Sequence, residues 1–307
     1  MKIVFLGTPE FGRKILAEIN KENEVVLVVT QPDKKQGRGG EIKYSPVKEY
    51  AVSHNIPVFQ PISIRKEYTY ILQYDFDLIV SAAYGQIVGT KLLFYPKFKS
   101  INVHGSLLPK GRGGAPIQRS IMNGDKKTGI TIMYMGRHMD DGDILMQEEI
   151  DISDNDNSDS LFQKLAALGA KMINPAIKKL AKEELSPKAQ DNAEVTFSYN
   201  LTPNDEKLDL CKSARLVNCQ VRALAPKTGA NFLIGDTLFK IYSCEVIDVE
   251  GTEGVILEVQ KDSFSVGCRT GAIKITEIKP AGKRLMKVKD YLNGKGKEII
   301  KQNIQIK

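Results

Sequence analysis

Short, almost unbroken apolar runs alternate with helical stretches over the first 150 residues, and few folds accommodate that pattern. Residues 2–6 form one run, centred on Ile3-Val4-Phe5-Leu6 and stopped by Gly7. Glu24–Thr30, Leu78–Ser81 and Ser100–His104 supply three more, with a short strand at Pro57-Val58-Phe59. A strand that is apolar throughout is buried on both faces, as in a parallel sheet covered by helices. Pro9 opens a helix reaching about Asn20, and Ser45-Pro46 opens another. The alternation predicts an α/β fold with a doubly wound, mostly parallel sheet, in which ligands bind beyond the carboxyl ends of the strands.

The remainder of the chain reads differently. Ile130–Tyr134 and Ile144–Ile150 are two further strands, and Ser158–Leu185 has helical apolar spacing with Pro175 as a predicted kink. Ser186–Asp205 lacks periodicity and reads as a linker. Beyond it come a helix over Leu210–Leu224 and short strands at Leu238–Tyr242, Gly254–Gln260, Phe264–Cys268 and Ala272–Ile278. Short strands punctuated by glycines suit a small OB-like β-barrel. With 307 residues the chain is long for a single core. The expected division is 1–185, a linker over 186–205, and a smaller β domain over 206–307.

Charge is unevenly spread. The net charge is +7, and residues 206–307 carry 18 Lys+Arg against 12 Asp+Glu, so the body is nearly neutral. A basic tail fits a polyanionic partner; a lysine-rich solvated surface is the other reading. No apolar run approaches the ~20 residues that span a bilayer, and Met1-Lys2-Ile3-Val4 enters a strand pattern directly, without signal-peptide layout. A cytoplasmic monomer is expected. Cys211, Cys219, Cys244 and Cys268 form no C-x-x-C pair, and the histidines are only His54, His104 and His138. Nothing there supports a metal site.

Asn102 and His104 stand two apart at a strand end, so their side chains share one face of the sheet. Met139-Asp140-Asp141-Gly142-Asp143 offers carboxylates on a turn, where Gly142 is read as permitting the conformation that turns one inward. Composition does not choose among the three aspartates. Amide, imidazole and carboxylate together suit attack by an amine on a carbonyl carbon. Gly7-Thr8-Pro9-Glu10-Phe11-Gly12 lacks the spacing of a dinucleotide loop, and Pro9 removes an amide that would face phosphate; a nicotinamide cofactor is disfavoured. The polar loop Gln31–Tyr44, with Arg38 and Lys43, is predicted to be a basic flap reaching toward phosphate. Lys279 to Lys301 carries eight basic residues, including Lys283 and Arg284.

These residues resemble the methionyl-tRNA formyltransferase family, among the enzymes that take formyl from 10-formyltetrahydrofolate. The matching stretches are Phe5–Phe11, Gln36–Gly39, Ser45–Lys48, Ala83–Ile87, Ile101–Pro109, Gly114–Gln118 and Met139–Leu145, with Pro280–Lys283 in the tail. The resemblance implies a Rossmann-like formyltransferase domain followed by an OB-like tRNA-binding domain. It implies Asn102, His104 and Asp140 as catalytic residues, and so selects Asp140 over its neighbours. It implies a folate loop at Ser106, Leu107, Leu108 and Pro109, and a pterin border at Gln86, Ile87 and Val88. Arg38 would approach the acceptor end of initiator methionyl-tRNA; Lys43, Lys283 and Arg284 join it as candidate RNA contacts. Gly111 stands where the family commonly has an aromatic residue, and Leu210 where it commonly has Trp. The rival readings are a formyltransferase for an amino sugar nucleotide and a 10-formyltetrahydrofolate hydrolase.

Overall fold

Residues 1–36 and 41–306 are described by a computed structural model, and they divide into two units. The first comprises residues 1–116, 128–150 and 162–199; the second comprises 117–127, 151–161 and 200–307.

The first unit is built on β1 (Lys2–Gly7), β2 (Glu24–Val29), β5 (Val58–Phe59), β6 (Leu78–Ala82), β7 (Ser100–His104), β8 (Lys127–Tyr134) and β9 (Ile144–Asp151). Their order across the sheet is β5-β2-β1-β6-β7-β8-β9. The first five are parallel and β8 runs antiparallel to β7, so the sheet is mixed. Ile3, Val4, Phe5 and Leu6 are fully buried, as the apolar run requires. α1 (Glu10–Ile19) starts hard against β6: a Cβ on Gly7 or Gly12 would lie 2.9 or 2.8 Å from the Ala82 carbonyl. The glycines of that turn therefore serve close packing of helix on sheet. α2 (Pro46–Ser53) begins where expected, with Ser45 accepting from the Lys48 amide at 3.1 Å and Pro46 in the first turn.

Two expectations change here. The Gln31–Tyr44 segment, read as a loop, contains a short antiparallel pair, β3 (Lys34–Gln36) and β4 (Glu41–Lys43). Lys43 is exposed at its end; Arg38 lies outside the described residues. Short helices α3 (Ile64–Glu67) and α4 (Thr90–Leu93) precede β6 and β7, and α5 (Pro116–Asn123) precedes β8. The long helix α6 (Ser158–Ala181) carries Pro175 inside it and stops four residues short of the expected end.

The second unit holds α7 (Ala214–Leu224) and strands β10 (Ala230–Ile234), β11 (Thr237–Ile247), β12 (Ile256–Val259), β13 (Phe264–Gly267), β14 (Ala272–Pro280) and β15 (Met286–Lys287). All the pairings are antiparallel, in the order β10-β11-β14-β13-β12 with β15 beside β14. The chain end bridges both edges, Ile306 to Ile234 and Gln305 to Val255, which curls the sheet. Phe232, Phe239 and Phe264 fill its interior, and Phe239 meets Tyr291 edge-on at 5.7 Å. The helix starts at Ala214, later than expected, because Ser213 caps it by accepting from the Leu216 amide.

Asp205 takes both guanidinium nitrogens of Arg119 and the Thr202 amide at 2.7 Å. The Arg119 hydrogen bond holds its carboxyl down at about 2. A depressed folded value stabilises above the ordinary carboxylate range and is lost as pH falls toward 2. Urea unfolding should therefore show about 1 kcal/mol lost between about pH 5 and pH 3 in the native protein that Asp205→Asn does not lose.

Candidate active site

β1, β6 and β7 end side by side, with Gly7 opposite Ala82 and Ser81 opposite Asn102. Asn102 and His104 therefore stand on the last residues of a strand in the middle of the sheet, where backbone pairing fixes their positions. Asn102 is half-buried, and its carboxamide has no protein hydrogen-bond partner among the described residues. His104 is 6% exposed. Its Nε2 lies 3.0 Å from the Gly111 carbonyl, which can only accept, so Nε2 carries the proton. Nδ1 then faces Asp140, with 3.7 Å between Nδ1 and Oδ2. That is an ion-pair spacing for a protonated ring, longer than a hydrogen bond.

Asp140 is held at both its carboxylate and its carbonyl. Its Oδ2 accepts from the Gly113 amide at 2.8 Å. Gln190 Nε2 donates to the carbonyls of Asp140 and Gly142, both at 2.8 Å. Arg112, almost fully buried, fixes Gln190 in turn by donating Nε and Nη2 to its Oε1 at 3.0 and 2.8 Å. The clamp matters because Asp140 has φ +53, a left-handed conformation costing on the order of 1 kcal/mol. The unusual backbone expected of Gly142 thus falls on Asp140. Gly142 is needed for space instead, since a Cβ there would lie 1.9 Å from the Tyr134 carbonyl. Asp141 and Asp143 remain outside the His104 contact.

The loop after β7 is bound down onto β8. Thr131, opposite His104, donates to the Ser106 carbonyl at 2.7 Å and accepts from the Leu108 amide at 3.1 Å. Gln147 donates to Thr131 Oγ1 and to the Leu108 carbonyl. Ser106 donates across the loop to the Lys110 carbonyl at 2.7 Å.

Residues 1–177 match the family described as formyl transferase, and 200–296 the formyl transferase C-terminal domain. The chain is 44% identical over 302 residues to the methionyl-tRNA formyltransferase of Streptococcus uberis, with 97% of each chain covered. It is 43% identical over 295 residues to that of Mesoplasma florum, covering 95% and 94%.

The chain belongs to the methionyl-tRNA formyltransferase family.

Among solved structures it resembles WlaRD, a sugar 3N-formyl transferase, with a TM-score of 0.69, 19% identity, and 92% and 99% coverage. It also resembles HypX from Aquifex aeolicus in complex with tetrahydrofolic acid, with a TM-score of 0.67, 15% identity, and 99% and 48% coverage. At such identities the likeness is one of fold.

The other residues singled out in this family member are placed unevenly. Ser106, Leu107, Leu108 and Pro109 are contiguous with His104, and Leu108 is buried. Gln86 spends its side chain on the neighbouring segment, accepting from the Ile64 amide at 2.9 Å and donating to the Pro61 carbonyl at 3.1 Å. Ile87 is 74% exposed, whereas Val88 is buried in the apolar core with Ile64 and Leu92. Lys283 and Arg284 are exposed in the second unit, Lys283 with its ammonium 5.1 Å from the Tyr291 ring centroid.

Arg112 and Gln190 went unnoticed in the sequence, one among glycines and the other in an aperiodic stretch. Gln190→Met keeps volume and removes the clamp, so kcat should fall roughly 10–100-fold with KM for the folate little changed. Gln190→Glu should be worse than Met despite its closer shape, since a carboxylate oxygen would then face two carbonyls. Steady-state kinetics on the two variants checks both statements.

Proposed function

We propose that this chain transfers the formyl group of 10-formyltetrahydrofolate to the α-amino group of methionyl initiator tRNA, for translation initiation. The observation that carries the reading is the unengaged Asn102 carboxamide beside the His104–Asp140 pair at the ends of the central strands. A half-buried amide with no partner among the described residues is a donor held ready for a ligand oxygen.

The chemistry follows from charge. The neutral amine attacks the formyl carbon, and the formyl oxygen gains negative charge in the tetrahedral intermediate. Asn102 Nδ2 donates to that oxygen, a contribution typically of ~10²–10³ in rate. His104 holds its Nε2 proton on Gly111, which leaves Nδ1 to take the proton the amine loses. Asp140 then faces an imidazolium and stabilises it. The proton passes to folate N10 as the carbon–N10 bond breaks and the new amide remains. No nucleophile on the protein is required.

Ser106 to Pro109, with Gln86, Ile87 and Val88, are proposed to border the folate, Gln86 and Val88 through backbone because their side chains are engaged elsewhere. Arg38, Lys43, Lys283 and Arg284 are proposed as RNA contacts. Residues 206–307 are proposed as an OB-like RNA-binding domain after a linker over 186–205, on the support of their antiparallel curled sheet and basic charge.

The test mixes the protein with donor labelled in the formyl carbon and charged initiator tRNA, omitting each in turn. Label is expected in the RNA only when both are present and the methionine amine is free. Formate released without acceptor would mark a hydrolase instead; label passed to an amino sugar nucleotide and withheld from the RNA would mark the sugar reading.

A further inference from the structure

The loop from Ala83 to Val88 leaves β6 in a shape that its own residues do not favour. Ala83 has φ +52 and Gly85 φ +88, and the left-handed conformation is costly for the alanine. Tyr84 and Val88 are buried, while Ile87 is exposed. Such a loop keeps one shape only if its neighbours hold it. Gln31, just beyond the end of β2, supplies that hold through both ends of its amide. Its Nε2 donates to the Tyr84 carbonyl at 3.1 Å, and its Oε1 accepts from Gln86 Nε2 at 3.3 Å. β1 lies between β2 and β6 in the sheet, so the side chain reaches over the end of β1 to make these bonds. Thr8, just past β1, donates to the same Tyr84 carbonyl at 3.1 Å. The main chain of Gln31 is fixed in turn: its amide donates to Thr8 Oγ1 at 3.4 Å, and its carbonyl accepts from Gln60 Nε2 at 2.9 Å.

We infer that Gln31 is a positioning residue for the folate, setting the shape of the backbone that borders it. The inference rests on the folate border proposed above at Gln86, Ile87 and Val88, and deepens it by naming what holds that border. A flat heteroaromatic ring with donors and acceptors along its edge is recognised by backbone N–H and C=O groups whose directions are fixed in advance. The turn from Ala83 to Gly85 sets those directions, and the Gln31 amide spans it from Tyr84 to Gln86. Without that amide the Tyr84 carbonyl keeps Thr8, and Gln86 keeps the Ile64 amide and the Pro61 carbonyl. The fold therefore survives while the loop gains freedom. Ordering the loop again falls on the folate, which weakens its binding without touching Asn102, His104 or Asp140.

Binding and kinetics on the full chain test it. Gln31→Met keeps the volume and removes both hydrogen bonds. Gln31→Asn keeps an amide but is a methylene too short to span the turn, and it carries the test alone if the methionine variant does not fold. Each should raise Kd for 5-formyltetrahydrofolate, measured by calorimetry, about tenfold, and KM for the formyl donor by the same factor. Both kcat and KM for methionyl-tRNA should stay near the native values. Gln86→Met combined with Gln31→Met should cost less than the two losses added, because both cut one clasp. The inference is refuted if the Gln31 variants keep the native Kd, if KM rises equally for both substrates as a general loosening of the fold would cause, or if the two losses simply add. A native protein that binds no 5-formyltetrahydrofolate overturns the folate reading itself, a result distinct from an unchanged Kd in the variants.

Discussion

His104→Ala should lower kcat by about 10²–10⁴, the range that positioned proton transfer contributes, while circular dichroism and the affinity for the folate should stay close to native. The size of the effect follows from what is lost together. In the proposed mechanism the ring accepts the amine proton at Nδ1, the nitrogen that stands 3.7 Å from Asp140 Oδ2. Its other nitrogen holds the Gly111 carbonyl at 3.0 Å, so removing the ring also loosens the loop that carries Arg112 and Gly113. Added imidazole should recover part of the rate if proton transfer is the main loss. Asp140→Asn separates the charge from the scaffold, because a carboxamide oxygen can still accept from the Gly113 amide. Its defect should be smaller than that of His104→Ala and should appear in kcat.

Asn102→Ala should lower kcat by about 10²–10³, with little change in either KM or in melting temperature. The carboxamide makes no protein hydrogen bond among the described residues, so its loss leaves no orphaned partner in the fold. Stability and catalysis come apart here, which is the signature of a side chain kept for a ligand. Asn102→Asp is the informative second variant. It preserves shape but places an anion where the proposed mechanism puts the developing negative charge, and it should be at least as damaging as alanine. Equal KM values with a collapsed kcat would place the interaction in the transition state.

The sheet was legible because burial on both faces writes itself into residues such as Ile3–Leu6 and Leu78–Val80, and strand parity alone put Asn102 and His104 on one face. The same logic missed β10, whose Ala230-Asn231-Phe232-Leu233-Ile234 is short, carries a polar residue and is buried only at alternate positions. It also placed the start of α7 too early, where a cap at Ser213 decides the boundary. The clamp on Asp140 was invisible for a different reason. Arg112 and Gln190 act through hydrogen bonds between segments 78 residues apart, and neither periodicity nor composition reports such a bond. The turn at Met139–Asp143 shows a related limit. A glycine beside an acid invites the assumption that glycine bears the strained backbone, yet here the acid does, with its carbonyl pinned by Gln190.

A crystal structure of the protein with a non-transferable N10-formyl analogue of the folate puts the reacting group itself in view. The formyl oxygen is expected about 3 Å from Asn102 Nδ2, with its carbon turned toward His104. A formyl group lying away from both side chains, with Asn102 more than about 5 Å from its oxygen, would contradict it.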